Sequence, residues 1–115
     1  MRAQILNANE VDAIQRGGGI TAIPLFGSHT EGATLTTGMT VFPPGAAIML
    51  HSHNLDESVT VLEGSGTAEF DGEEFAVSQY STTYVPAGVK HRFINTGVAE
   101  QIMIGMAAGL AVRSR

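Results

Sequence analysis

The chain contains no cysteine. That single absence excludes a disulfide framework, a zinc–thiolate site and a thiol nucleophile. It also fits a cytoplasmic protein, where disulfides are rare. Basic residues are few: 6 against 11 acidic ones, for a net charge of −5. Arg2, Arg16, Lys90, Arg92, Arg113 and Arg115 are scattered and form no basic stripe, so nucleic acid is not an expected partner. No apolar run approaches the roughly 20 residues that span a bilayer. The opening MRAQILNANEVDAIQRGGG lacks the charged start and apolar stretch of a signal peptide. Neither membrane nor export is therefore expected, and the expected location is the cytoplasm. Repeats, linkers and low-complexity tracts are missing too. A chain of 115 residues then reads as one domain, of a size that buries about two-thirds of its unfolded surface.

What the chain does have is 14 glycines spread along its length, between short runs rich in Val, Ile, Thr, Phe and Tyr. That pattern predicts an all-β domain with many turns. One short helix is expected over residues 7–16, with Asn7 or Asn9 as its N-cap and Gly17-Gly18-Gly19 as its stop. Strands are expected at 20–26, 34–42, 46–53, 57–64, 67–70, 73–77, 81–86, 90–95 and 100–108. Pro24 marks an edge or a bulge in the first of these. Asp71-Gly72 is the strongest hairpin signal, because a type I′ turn needs positive φ at both central positions. About nine short strands at this spacing suggest a sandwich or barrel.

The chemistry gathers around the histidines. His51 and His53 are two apart, so on a strand both imidazoles point to one face. Glu57 can swing back to the same point if Asn54-Leu55-Asp56 turn tightly. His91 offers a third imidazole from a separate strand, after the turn Pro86-Ala87-Gly88. Three neutral nitrogens and a carboxylate suit a divalent transition metal: Fe, Mn, Ni, Zn, Co or Cu. Each residue alone has a plainer reading. His-x-His is common on exposed strands, a lone glutamate is usually solvated, and His91 alone reads as a loop histidine.

The glycines and prolines around these residues change the balance. Residues 45–64 read G-AAIML-H-S-H-NLD-E-SVTVLE-G, and residues 86–95 read P-A-G-VK-H-RFI-N. The first resembles the cupin motif G-x5-H-x-H-x3-E-x6-G at every fixed position. The second resembles its companion P-x-G-x2-H-x3-N. One departure is Tyr80, which stands where cupins often carry glycine or aspartate. The resemblance is to small single-domain bacterial cupins. It implies a single small jelly-roll β-barrel over 19–112, preceded by the N-terminal segment 1–18 with its short helix. It also implies a metal held by His51, His53, Glu57 and His91.

Strand parity then suggests an interior. Met49 shares a face with His51 and His53, Val59 with Glu57, and Phe93 with His91. Those three and Met39 are the expected apolar pocket lining. Tyr84 is the expected polar lining residue and joins Glu57 as a catalytic candidate. Thr40 and His29 are lesser candidates; His29, in FGSHTEG, reads more simply as a solvated loop residue. No lysine or arginine has inward parity, which disfavours a strongly anionic phosphosugar. A three-histidine, one-glutamate site with open positions can bind O₂ or act as a Lewis acid. Similar small cupins include dioxygenases, isomerases, cyclases and lyases. The apolar interior favours dioxygenase-type chemistry on a small organic metabolite; the alternative is a non-catalytic module that binds a small ligand or the metal. Apolar edges at the N-terminus and at 20–26 suggest a homodimer.

Overall fold

Short alternating runs bounded by glycine and proline produce nine strands in the computed structural model, which describes residues 1–109. They are β1 (Ile14–Gln15), β2 (Thr21–Phe26), β3 (Thr36–Phe42), β4 (Glu57–Glu63), β5 (Gly66–Phe70), β6 (Glu73–Val77), β7 (Thr82–Val85), β8 (His91–Ile94) and β9 (Gln101–Ala107). Six of them form one sheet in the order β1-β2-β3-β9-β4-β7, and three form the other, β6-β5-β8. Every pairing is antiparallel. This is a jelly-roll barrel. The expected barrel limit at 112 lies outside the described residues.

The core lies between the sheets and draws on both. Phe42, Val59, Val61 and Met103 come from the larger sheet, Ala68, Val77 and Phe93 from the smaller, with Ile20 alongside. In β3, Phe42 faces this core and Val41 the opposite way; in β4, Glu57, Val59 and Val61 face in. Burial of each large apolar side chain contributes about 1.5–3 kcal/mol.

Turn chemistry follows the sequence closely. Asp71 and Gly72 take φ of 50 and 85°, as a type I′ hairpin requires. The β2–β3 register shifts between Pro24 and Phe26, so Pro24 does mark a bulge. Gly64 has φ 84°, and a Cβ there would lie 2.7 Å from the Glu100 carbonyl oxygen. Both facts require glycine at this motif position. Tyr80 has φ 70°, a left-handed conformation that favours glycine. Its departure from the family pattern is thus a side chain placed on a glycine backbone, and it leaves the tyrosine exposed.

Two elements differ from expectation. The helix over 7–16 is a single 3₁₀ turn, Ala8–Glu10, capped by the Asn7 side chain at 2.9 Å. Residues Ile14 and Gln15 pair instead with Ala22 and Thr21. A ten-residue helix is marginal on its own, and strand pairing takes its last turn. Residues 46–53 form no continuous strand either. They run along β8 through two isolated bridges, Ala47↔Ile94 and His51↔His91. The pairing slips by one residue between these bridges, and that slip interrupts the alternation of side chains.

Candidate metal centre

The slipped segment brings His51 beside His91. Their backbones exchange hydrogen bonds, His51 N–H to the His91 carbonyl at 3.0 Å and His91 N–H to the His51 carbonyl at 2.8 Å. Their rings lie 4.4 Å apart, centre to centre. His53 adds a third ring, 4.8 Å from His51 and 5.6 Å from His91. The three can bring one nitrogen each within 4.8 Å of one another, a group that can hold a metal ion. Glu57 opens β4 on the inner face, its carboxylate 3.2 Å from His91 Nε2 and 3.7 Å from His53 Nε2. Phe70 packs roughly parallel to the His91 ring at 6.5 Å and closes one side.

Tautomers follow from the second nitrogens. His51 Nδ1 lies 2.8 Å from the Met49 carbonyl and His91 Nδ1 lies 2.9 Å from the Val89 carbonyl. Carbonyls accept only, so each Nδ1 carries the proton and each Nε2 presents its lone pair. At His91 that lone pair faces a carboxylate oxygen. Two acceptors 3.2 Å apart need a cation between them: a proton or a metal ion. His91 Nε2 and His53 Nδ1 are both buried without a hydrogen-bond partner. A donor set of three imidazoles and one carboxylate, with orphaned buried nitrogens, fits a divalent transition metal.

The electrostatics agree. Burial lowers the His51 pKa, and the neighbouring imidazoles push the same way, against a smaller opposing pull from the Met49 carbonyl and Glu57. Burial also opposes charge on His91, but the Glu57 carboxylate and the Val89 carbonyl outweigh it and leave that pKa raised. Glu57 is the mirror case: burial pushes it up, and the three histidines together hold it below its ordinary value.

The other candidates separate into two groups. Val59 and Phe93 are buried on the inner face, as expected. Met49 is not: it is 85% exposed, because the slip between Ala47 and His51 breaks the parity that would have turned it inward. Met39 also departs. It pairs with Ile104 and Ile23 in a regular stretch of β3, on the face opposite buried Phe42. Tyr84 points outward as well, since its neighbour Val85 is buried in the core direction. Its hydroxyl donates to Asp56 Oδ2. That bond and the Ala87 N–H hold the Asp56 carboxyl low, and the same bond to Asp56 pushes the Tyr84 phenol up. His29 stands apart from the other three histidines, exposed, with Nε2 3.0 Å from the Leu25 carbonyl. Asn95 satisfies its turn: its amide nitrogen donates to the Phe42 and Ala99 carbonyls and its amide oxygen accepts from Gly97 N–H, each near 3 Å. Sequence reasoning missed Phe70 and Asp56. The alternation of β5 pointed to Phe70; nothing in the sequence distinguished Asp56 from an ordinary turn residue.

A jelly roll whose motif segments bring three imidazoles and a glutamate together is a cupin barrel. The family model for the cupin domain matches residues 38–105, and the chain belongs to that family. Among curated proteins it is 31% identical over 113 residues to polyketide synthase CurC of Streptomyces cyaneus, covering 96% of this chain and 73% of that one. Among solved structures it superposes on a predicted oxalate decarboxylase from Thermotoga maritima with a TM-score of 0.82 at 20% identity, covering 93% of this chain and all of the other. Another is the polyketide cyclase RemF from Streptomyces resistomycificus, with a TM-score of 0.80 at 19% identity over 92% of this chain and 79% of that one. The two structural likenesses show the fold. Among the described residues no helix is long and apolar enough to cross a membrane.

Proposed function

We propose that the protein is a metal-dependent enzyme that moves a proton on a small, enolisable organic substrate of the polyketide type, a cyclase or isomerase in class. The observation that carries this is the Glu57 carboxylate facing the Nε2 lone pair of His91 on the inner wall. His51, His53, His91 and Glu57 would hold a divalent ion, which supplies Lewis-acid polarisation of a bound carbonyl. Glu57, held ionised by its histidines, takes a proton from the carbon flanked by carbonyls and returns it elsewhere on the substrate. Phe70, Phe93 and Val59 keep water from that carbon. The substrate class draws on what CurC and RemF are named for.

Glu57→Gln tests this. Deuterium exchange at the central carbon of a 1,3-diketone, followed by NMR, is expected to be catalysed by wild type and to slow about 10²–10⁴-fold in the variant. Exchange no faster than buffer with wild-type protein sinks the enzyme reading in favour of a ligand-binding module. Dioxygenase chemistry uses the same donor set, and O₂ consumed in step with substrate would move the assignment there.

Metal binding should weaken in acid. The ligating rings must be unprotonated, and the His91 pKa is raised from 6.5. Affinity is therefore full above that raised value and falls as pH drops through it, with an onset on the alkaline side of 6.5. The metal-free protein runs the other way. Its protonated His91–Glu57 pair adds stability below the unfolded value, and that contribution is lost as pH rises through the folded one. Thermal unfolding across pH 5–9, with and without metal, should show the gap between the two forms widening as pH rises. A gap independent of pH argues against His91 as a ligand.

The same reading includes a homodimer in the cytoplasm. Supporting the dimer, Ile23, Met39, Val41, Ile102 and Ile104 are contiguous on the outer face of the larger sheet and only partly buried. Sedimentation should show a dimer that Ile104→Glu dissociates; a wild-type monomer at all concentrations rules it out.

A further inference from the structure

We propose that Asp56 is a positioning residue whose outward clasp steadies the entry to β4 and so holds the adjacent Glu57 carboxylate against the imidazoles. Asp56 and Glu57 are neighbours where the chain enters β4, so alternation puts one inside and the other outside. A slip of one residue would exchange them.

The structure shows what holds Asp56 on the outer side. Outside the barrel, Asp56 Oδ2 accepts the Tyr84 hydroxyl and Oδ1 accepts the Ala87 N–H at 2.9 Å. Tyr84 and Ala87 belong to β7 and to the turn that carries the chain to His91. The same turn donates Gly88 N–H to the His53 carbonyl at 2.8 Å. The loop between His53 and Glu57 is thus tied at both ends to the segment that delivers His91. One tie is main chain to main chain and does not depend on side-chain identity. The other depends on the Asp56 carboxylate. Beyond it, Ser58 pairs with Tyr84 and Glu57 with Val85 on one side, and Glu57 pairs with Ala107 on the other, so the Asp56 clasp reinforces, at the open end of β4, the register in which Glu57 and Val85 point inward.

This inference rests on the metal reading above, and the test separates the two. Co(II) affinity is measured by competition with a chelator, together with the visible spectrum of the Co(II) protein and the thermal unfolding of the metal-free form. Asp56→Ala, which acts through the backbone entering β4 and not through a bond to a ligand, is expected to weaken Co(II) binding about tenfold, the low end of what loss of an orienting group costs, and to alter the spectrum. Asp56→Asn keeps an acceptor for Ala87 and should recover most of the affinity. Tyr84→Phe should weaken binding alone but add little on top of Asp56→Ala, because both act through one contact; it also serves if Asp56→Ala fails to fold. Wild type that takes up Co(II), with variants of unchanged affinity and spectrum and only a lower melting temperature, overturns the clasp. An asparagine variant as weak as alanine also overturns it. Wild type that takes up no Co(II) overturns the metal reading, and the inference with it.

Discussion

Replacing His51 and His53 together by alanine drops the metal content of the purified protein from stoichiometric to background while its strand content stays that of wild type. The two halves of this expectation have different causes. Loss of an outer partner costs about 10–100-fold in affinity, and loss of a ligand costs more. Two ligands together should cost on the order of 10⁴-fold, leaving only His91 and Glu57. The fold persists because neither ring belongs to the apolar cluster between the sheets. The bridge at this point is made by the backbones of His51 and His91, and alanine makes the same bonds. Elemental analysis and circular dichroism on one sample decide the matter. Stoichiometric metal in the double variant would mean that other residues hold it.

The site was legible in the sequence because its ligands carry fixed spacings, and spacing survives local irregularity. His51, His53, Glu57 and His91 converge even though the segment 46–53 is no regular strand. The lining was less legible, because lining residues were inferred from parity alone. Parity holds where the ladder is regular, as at Val59 and Phe93. It fails at Met49, where the slip between two bridges breaks it. Met39 and Tyr84 fail for another reason. Their strands are regular, but a period of two does not say which face is the inner one. Only the pairing of β3 with β9 and of β7 with β4 decides that. The N-terminal helix is overridden by pairing with β2, a contact between residues six and eight apart that local propensity does not register. The β5–β6 hairpin is legible because Asp71-Gly72 carries its turn type in two residues.

Phe42→Ala should destabilise the protein by about 3–5 kcal/mol, the range for a fully buried phenylalanine that leaves a cavity. Phe42 is 0% exposed and stands in one cluster with Val61, Phe93 and Met103. Domains of this kind have only about 5–15 kcal/mol in total, so the melting temperature should fall by roughly 12–20 °C. Phe75→Ala is the matched control: the same side chain, 46% exposed, should shift it by a few degrees at most. Equal shifts would mean that the core is not where the two sheets meet. The hydrogen bond from Asn95 to the Phe42 carbonyl is a main-chain contact on that side, and alanine keeps it, so the loss measures packing alone. The variant also separates stability from function. Glu57 aligns with Ala107, and Ala107 with Thr36. Phe42 is six residues further along β3, about 20 Å at strand rise. Below its melting temperature, Phe42→Ala should therefore bind metal as tightly as wild type. A variant that loses stability and metal affinity together would show that the core and the histidine cluster form one mechanical unit rather than two ends of a rigid barrel.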